Sequence, residues 1–147
     1  MSGPRRTMLE TLLDACRATR SGAYYVKRGA IVWEGFDFES HAQKRAIAIM
    51  CDEGQLLRDQ FGMYTESVTL EMAAQMSLVE TEPAAGIDDA IEEEMIEDAR
   101  VIVRALIEAS SGGDPVVFKV GNEAPFVEWH DVELRVQGII VYLKLTY

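Results

Sequence analysis

The last sixteen residues, VELRVQGIIVYLKLTY from Val132 to Tyr147, constrain the fold more than any other stretch. They read as two alternating strand patterns that change phase at Gly138. Before the glycine, Val132, Leu134 and Val136 share a face; after it, Ile139, Val141, Leu143 and Leu145 form the apolar row. Side chains in a strand have a period of two, so a phase change moves the apolar row to the other face. A β-bulge at Gly138 would restore it, and glycine suits a bulge. So apolar a strand is expected inside a sheet rather than at its rim, and the other elements must pair with it and cover it.

A second constraint comes from the segment 87–110. Ile91, Met95, Ala99, Ile102, Val103, Leu106 and Ile107 recur at helical spacing, which predicts a helix from Ile87 or Asp88 to Ser110. Asp88 and Asp89 are suitable N-caps, and Glu92, Glu93 and Glu94 lie where the helix dipole favours anions. Ser110-Ser111-Gly112-Gly113 closes it. Glu97 and Arg100 are spaced to pair, whereas Arg100 and Arg104 repel, so ion pairs along its surface do not hold it. A long helix with one apolar stripe requires a sheet to lie on.

The remaining elements are shorter. A helix from Arg5 or Thr7 to Arg20 is predicted from Leu9, Leu12, Leu13 and Cys16, with Thr7 and Glu10 at capping-box spacing and Pro4 suited to an earlier start. Ser21-Gly22 stops it, with Arg17 and Arg20 in its last turn. A strand is expected at about Ala30–Glu34, with Tyr24–Val26 as its hairpin partner or an extended lead-in. Arg45–Cys51 (RAIAIMC) reads as a strand apolar on both faces, ended by Asp52-Glu53-Gly54. Residues 52–63 read as a loop with one helical turn at Leu56–Gln60. Strands are expected within Tyr64–Met76 and at Val116–Val120, with an extended piece at Phe126–Trp129. The fold class is therefore α+β: an antiparallel or mixed β-sheet with two main helices packed on one face, in a single domain spanning 1–147.

Composition bounds the function. At 147 residues, 48% hydrophobic and 27% charged, the chain has enough apolar residues for a core of its own. Cys16 and Cys51 have no CxxC spacing and lie in apolar patterns, so both are expected as buried free thiols in a reducing compartment. Early apolar residues are interrupted by Glu10, Thr11 and Asp14, which fits a helix rather than a signal peptide. No run approaches the roughly 18 apolar residues of a membrane span, so a soluble protein is expected. The net charge of −11 argues against tight nucleic-acid binding. Residues 1–50 carry eight Lys/Arg against five Asp/Glu, whereas residues 51–147 carry six against twenty. Such asymmetry suits head-to-tail attraction between copies, or simply a solvated acidic surface.

Catalytic signatures are absent: GxSxG, HExxH, P-loop and GxGxxG patterns do not occur. His41, Cys51 and His130 follow no metal-ligand spacing. The cluster Glu92-Glu93-Glu94 with Glu97-Asp98 reads as a solvated helix face, and Trp129-His130-Asp131 as aromatic packing at a strand. No catalytic residue, metal or cofactor is expected, nor is an enzyme.

In element order, the chain resembles the tail terminator, or tail-completion, proteins of long-tailed bacteriophages. The likeness lies in TMLETLLDACRATR, in RAIAIMC followed by TESVTLEMA, in DDAIEEEMIEDARVIVRALIEA, and in the closing GIIVYLKLTY. It is one of pattern rather than of a fixed motif. It implies a small subunit that forms a hexameric ring on the tail tube, stops tube polymerisation and joins tail to head. The implied partners are other copies of the chain, the tail tube protein and a head-completion or neck protein, in the virion, with DNA passing through the channel without specific binding. An acidic channel wall would repel phosphates. The expected contact pairs Arg17, Arg20, Lys27 and Arg28 with Glu92, Glu93 and Glu97 of the next subunit. A neck or other tail component, and a small homodimeric adaptor that recruits a peptide by strand addition, are the alternative readings.

Overall fold

A computed structural model describes residues 3–38, 45–76, 87–111, 119–121 and 125–147. Its elements are helix α1 (Pro4–Ala18), a 3₁₀ turn (Thr19–Gly22), strands β1 (Tyr24–Arg28), β2 (Arg45–Gly54) and β3 (Thr65–Gln75), helix α2 (Asp89–Ser111), and strands β4 (Lys119–Val120), β5 (Phe126–Asp131) and β6 (Val136–Thr146). The strands form one sheet in the order β1-β2-β3-β6, with β4 and β5 both pairing β6. Only β1 and β2 run parallel; the other pairs are antiparallel, so the sheet is mixed. Both helices contribute to one core on one face of the sheet, as the α+β reading expects.

That core is built from aligned rows. Ile47, Met72 and Ile139 lie opposite one another across β2, β3 and β6, as do Ile49, Leu70 and Val141. Met8, Leu12 and Cys16 of α1 and Met95, Ile102 and Leu106 of α2 close over them. At roughly 1.5–3 kcal/mol for each fully buried large side chain, this layer is the principal stabilising contribution.

The opposite face is covered as well. The chain between β1 and β2 lays Ile31, Trp33, Phe36 and Phe38 against Ala46, Ala73, Val136 and Trp129. Ala46, Ala73 and Gly138 are partners in register, which makes a floor of small residues beneath the rings. Trp33 stacks on Phe38 at 6.0 Å and meets Trp129 at 6.0 Å, and Phe36 meets Phe38 edge-on at 4.7 Å.

Covering of both faces explains why the phase change needs no bulge. Register runs unbroken from β3 through Gly138 to β5, so the expected bulge there is absent. Val136 faces the aromatic layer, while Ile139, Val141, Leu143 and Leu145 face the helices. The terminal strand also starts later than expected, because 132–135 form the β5–β6 turn, with Arg135 at φ 55°. The bulge falls in β2, where register shifts between Cys51 and Glu53 and the Thr69 hydroxyl donates to Asp52.

Other boundaries shift for local reasons. Pro4 takes the first turn of α1, and Thr7 lies inside the helix with its N–H on Gly3 O, so Thr7 and Glu10 form no capping box. The strand expected at Ala30–Glu34 is instead the irregular, aromatic-bearing connection, and β1 occupies Tyr24–Arg28. Leu56–Gln60 contains no helical turn. Of the strand expected at 116–120, Lys119–Val120 is described; 116–118 and His41 lie outside the described residues. Cys16 is buried, its thiol pushed up to about 12 by burial, whereas Cys51 is exposed beyond the apolar part of β2, contrary to expectation.

Candidate functional site

Polar residues terminate the apolar rows on the helix face, and each ties the sheet to a helix or to the chain end. Arg45 precedes Ile47 and Ile49, Glu66 precedes Val68 and Leu70, and Gln137 precedes Ile139 and Val141. Gln137 is buried; its Oε1 accepts from Asp88 N at 2.9 Å, and its Nε2 donates to Asp88 O at 3.0 Å. Asp88 in turn caps α2, accepting at Oδ1 from Ala90 N and Ile91 N. The start of the long helix is thus positioned by one glutamine of β6.

Asp98 is the centre of a second junction. Its Oδ2 accepts from Arg20 Nε at 2.8 Å and from Tyr24 Oη at 2.7 Å, with an Arg45 nitrogen at 3.6 Å. Arg45 also pairs with Glu94, and Arg20 approaches Glu94 at 3.9 Å. Burial, and then the bond to Asp98, raise the Tyr24 phenol above its ordinary range. Arg20 and Ser21 hold left-handed backbone at φ 50° and 54°, a conformation costly for residues other than glycine. The ion pairs hold Arg20 in place there.

Glu66 makes a third junction, at the far end of the sheet. Arg5 of α1 pairs with it, and Tyr147 Oη donates to it at 2.5 Å. Burial pushes this carboxyl up, but hydrogen bonds from Arg5 and Tyr147, with help from the Arg28 charge, outweigh burial and hold it below its ordinary value.

These junctions redistribute the residues expected at a subunit contact. Arg20 is engaged within its own chain. Arg17, Lys27 and Arg28 are exposed, but Lys27 and Arg28 point to opposite faces of β1. Glu93 is exposed, Glu97 pairs with Arg100 at 3.6 Å, and Glu92 faces Glu128 of β5. The hydrogen bond with Glu128, then burial and the charges of Glu128, Asp89 and Glu93, push the Glu92 carboxyl up to about 7. Of the seven, Arg20 is thus tied to its own chain, while Glu93 and Glu97, four residues apart, share an exposed face of α2.

Two apolar surfaces stand out instead. At the β2–β3 hairpin tip, Leu56, Leu57 and Phe61 are 94%, 83% and 77% exposed. Asp59 orders this tip: its Oδ1 accepts from Phe61 N at 2.8 Å and Met63 N at 3.0 Å, and its N–H donates to Met63 O. Gly62 completes the turn at φ 77°, and Gln55 bonds to Thr65 through backbone and side chain. Arg58 folds back over the Tyr64 ring at 5.6 Å. The second surface is a groove of about 320 Å³ between α2 and β5, lined by Ile96, Val103, Ile107, Phe126 and Val141, with Arg100 and Arg104 beside them.

Asp98, expected on a solvated helix face, is instead buried; the signal that could have found it is its place between Met95 and Ile102 on the helix stripe, as Glu66 shares a strand face with Val68. Their partners were not readable, since they come from distant elements. Among the described residues, no group of three or more His, Cys, Asp or Glu is arranged to hold a metal ion. Comparison with protein-family models and with curated proteins finds no match. No helix among the described residues is long and apolar enough to cross a membrane.

Proposed function

We propose that this chain is a structural assembly protein of the tail-terminator kind. In this reading copies of the chain form a ring, hexameric in the simplest case, that caps a tail tube, stops its growth and joins the tail to the head. The observation that most supports assembly is the hairpin tip, where three large apolar side chains are held outward by an ordered turn. Contiguous exposed apolar surface of this kind marks an interaction site rather than an ordinary loop. The buried polar groups Asp98, Glu66 and Gln137 join elements of the chain to one another. The acidic excess, −11 overall, suits a channel that DNA crosses without adhering.

Mass photometry across a concentration series, followed by addition to polymerising tail-tube protein, tests the reading. Rings of six copies and tubes of arrested length are expected. A stable dimer, with tube growth unaffected, would overturn it in favour of the adaptor; a twelve-membered ring would favour a neck component.

A further inference from the structure

We propose that the β2–β3 hairpin tip of one copy docks into the groove between α2 and β5 of the next; this rests on the assembly reading and names its contact. The chain carries both halves of such a contact. Phe61, Leu56 and Leu57 are an ordered apolar knob, and Val103, Ile107 and Phe126 line an apolar hollow of about 320 Å³. Hollows of that size are at the lower end of those that enclose small apolar ligands, and a phenyl ring with its neighbours fits the scale.

Charge agrees with the pairing. Arg100 and Arg104 flank the groove, while the tip carries Asp59 and follows the exposed Glu53. The tip's own cation, Arg58, is turned back onto Tyr64, with its Nε donating to Tyr64 Oη at 3.3 Å. Asp52, Glu53 and Asp59 outnumber Arg58 at this end of the hairpin, and the charged lining of the groove is Arg104 and Arg100, the latter also paired with Glu97; complementary charge of this sort sets orientation and speeds encounter.

The knob cannot serve its own groove. The hairpin base is locked by the Gln55–Thr65 bonds, and the tip lies beyond the sheet end, where Tyr64 and Tyr147 exchange backbone bonds. Val141, within the groove, is six residues earlier along β6, about 20 Å away at the rise of a strand. Knob and hollow are different surfaces, so the contact between copies is heterologous and propagates until rotation closes it into a ring. One tip is small beside the roughly 800 Å² per partner of a stable interface, because a buried Phe contributes only about 150–250 Å². A single contact is weak, and closure gives persistence by holding each copy at two places.

Disulfide trapping in a Cys51→Ser background tests this directly. Protein carrying Phe61→Cys is mixed under mild oxidation with differently tagged protein carrying Ile107→Cys, and Glu10→Cys replaces either partner as the control. A mixed Phe61→Cys/Ile107→Cys adduct at least tenfold above control is expected, as is a loss of assemblies in Phe61→Asp at unchanged Tm. If wild type forms rings but the adduct stays at control level, the docking is wrong and the ring reading stands. If the adduct forms while wild type stops at dimers, the docking stands and the ring reading falls. A monomeric wild type with no adduct overturns both.

Discussion

Gly138 has less room than any other described glycine. A Cβ there would come 2.1 Å from Met72 O and 2.7 Å from the Trp129 indole. Its φ is not left-handed, so close approach rather than backbone freedom requires the glycine. Trp129 lies over the gap left by the missing side chain, as an aromatic does when it covers a glycine on a neighbouring strand. Gly138→Ala should therefore cost about 2 kcal/mol or more, as overpacking of a tight interior does. For a chain of this length that is a fall in Tm of roughly 4–8 °C, measurable by calorimetry; an unchanged Tm would mean the aromatic layer is not seated against β6. Residue type alone pointed to this glycine, but for another reason. Its place in the sequence pattern suggested a bulge, whereas what selects it is the close approach of the Met72 carbonyl on β3 and of the Trp129 ring on β5.

Element boundaries depend on the polar residues at the ends of the apolar rows. Glu66 anchors the first turn of α1 and the last residue of the chain to β3, through Arg5 and Tyr147. Its carboxyl is held below its ordinary value, so the unfolded chain takes up a proton at higher pH than the folded one. The stabilisation is present above the unfolded value of 4.5 and is lost as pH falls through the lower folded value. Urea denaturation should show wild type losing more stability than Glu66→Gln between pH 6 and pH 3; equal losses would exclude this anchor. The Glu92–Glu128 pair between α2 and β5 has the opposite sign. Folding raises Glu92 from 4.5 to about 7, so its penalty is absent below pH 4.5 and grows as pH rises towards 7. Glu128→Gln should raise Tm at pH 8 and leave it unchanged at pH 4, read by differential scanning fluorimetry. Both carboxylates were visible in the sequence as acidic residues, but only the tertiary fold makes one of them a neighbour of the other.

On the scale of the whole molecule, the chain places its charges and its apolar surface in different regions. Arg5, Arg20 and Arg45 from the basic first third close onto Glu66, Asp98 and Glu94 from the acidic remainder. Part of the asymmetry along the chain is thus resolved by the fold itself rather than left for a neighbour. Among the described residues the surface also carries an apolar tip and an apolar groove, the two halves of the proposed contact. Charge is legible in the sequence residue by residue, whereas exposure is not. Exposure of Leu56, Leu57 and Phe61 depends on a hairpin whose turn is set by Asp59 and Gly62.

Periodicity alone determined the α2 helix, the buried central position of β6, the apolar β2 and the α+β class, because a repeat of 3.6 or 2 reports which face must leave water. Tertiary structure alone decided the parallel entry of β1, the aromatic layer on the second face, the partners of each buried charge and the register that leaves Gly138 unbulged. Those depend on which distant residues meet across the sheet, and no local pattern encodes a partner many tens of residues away.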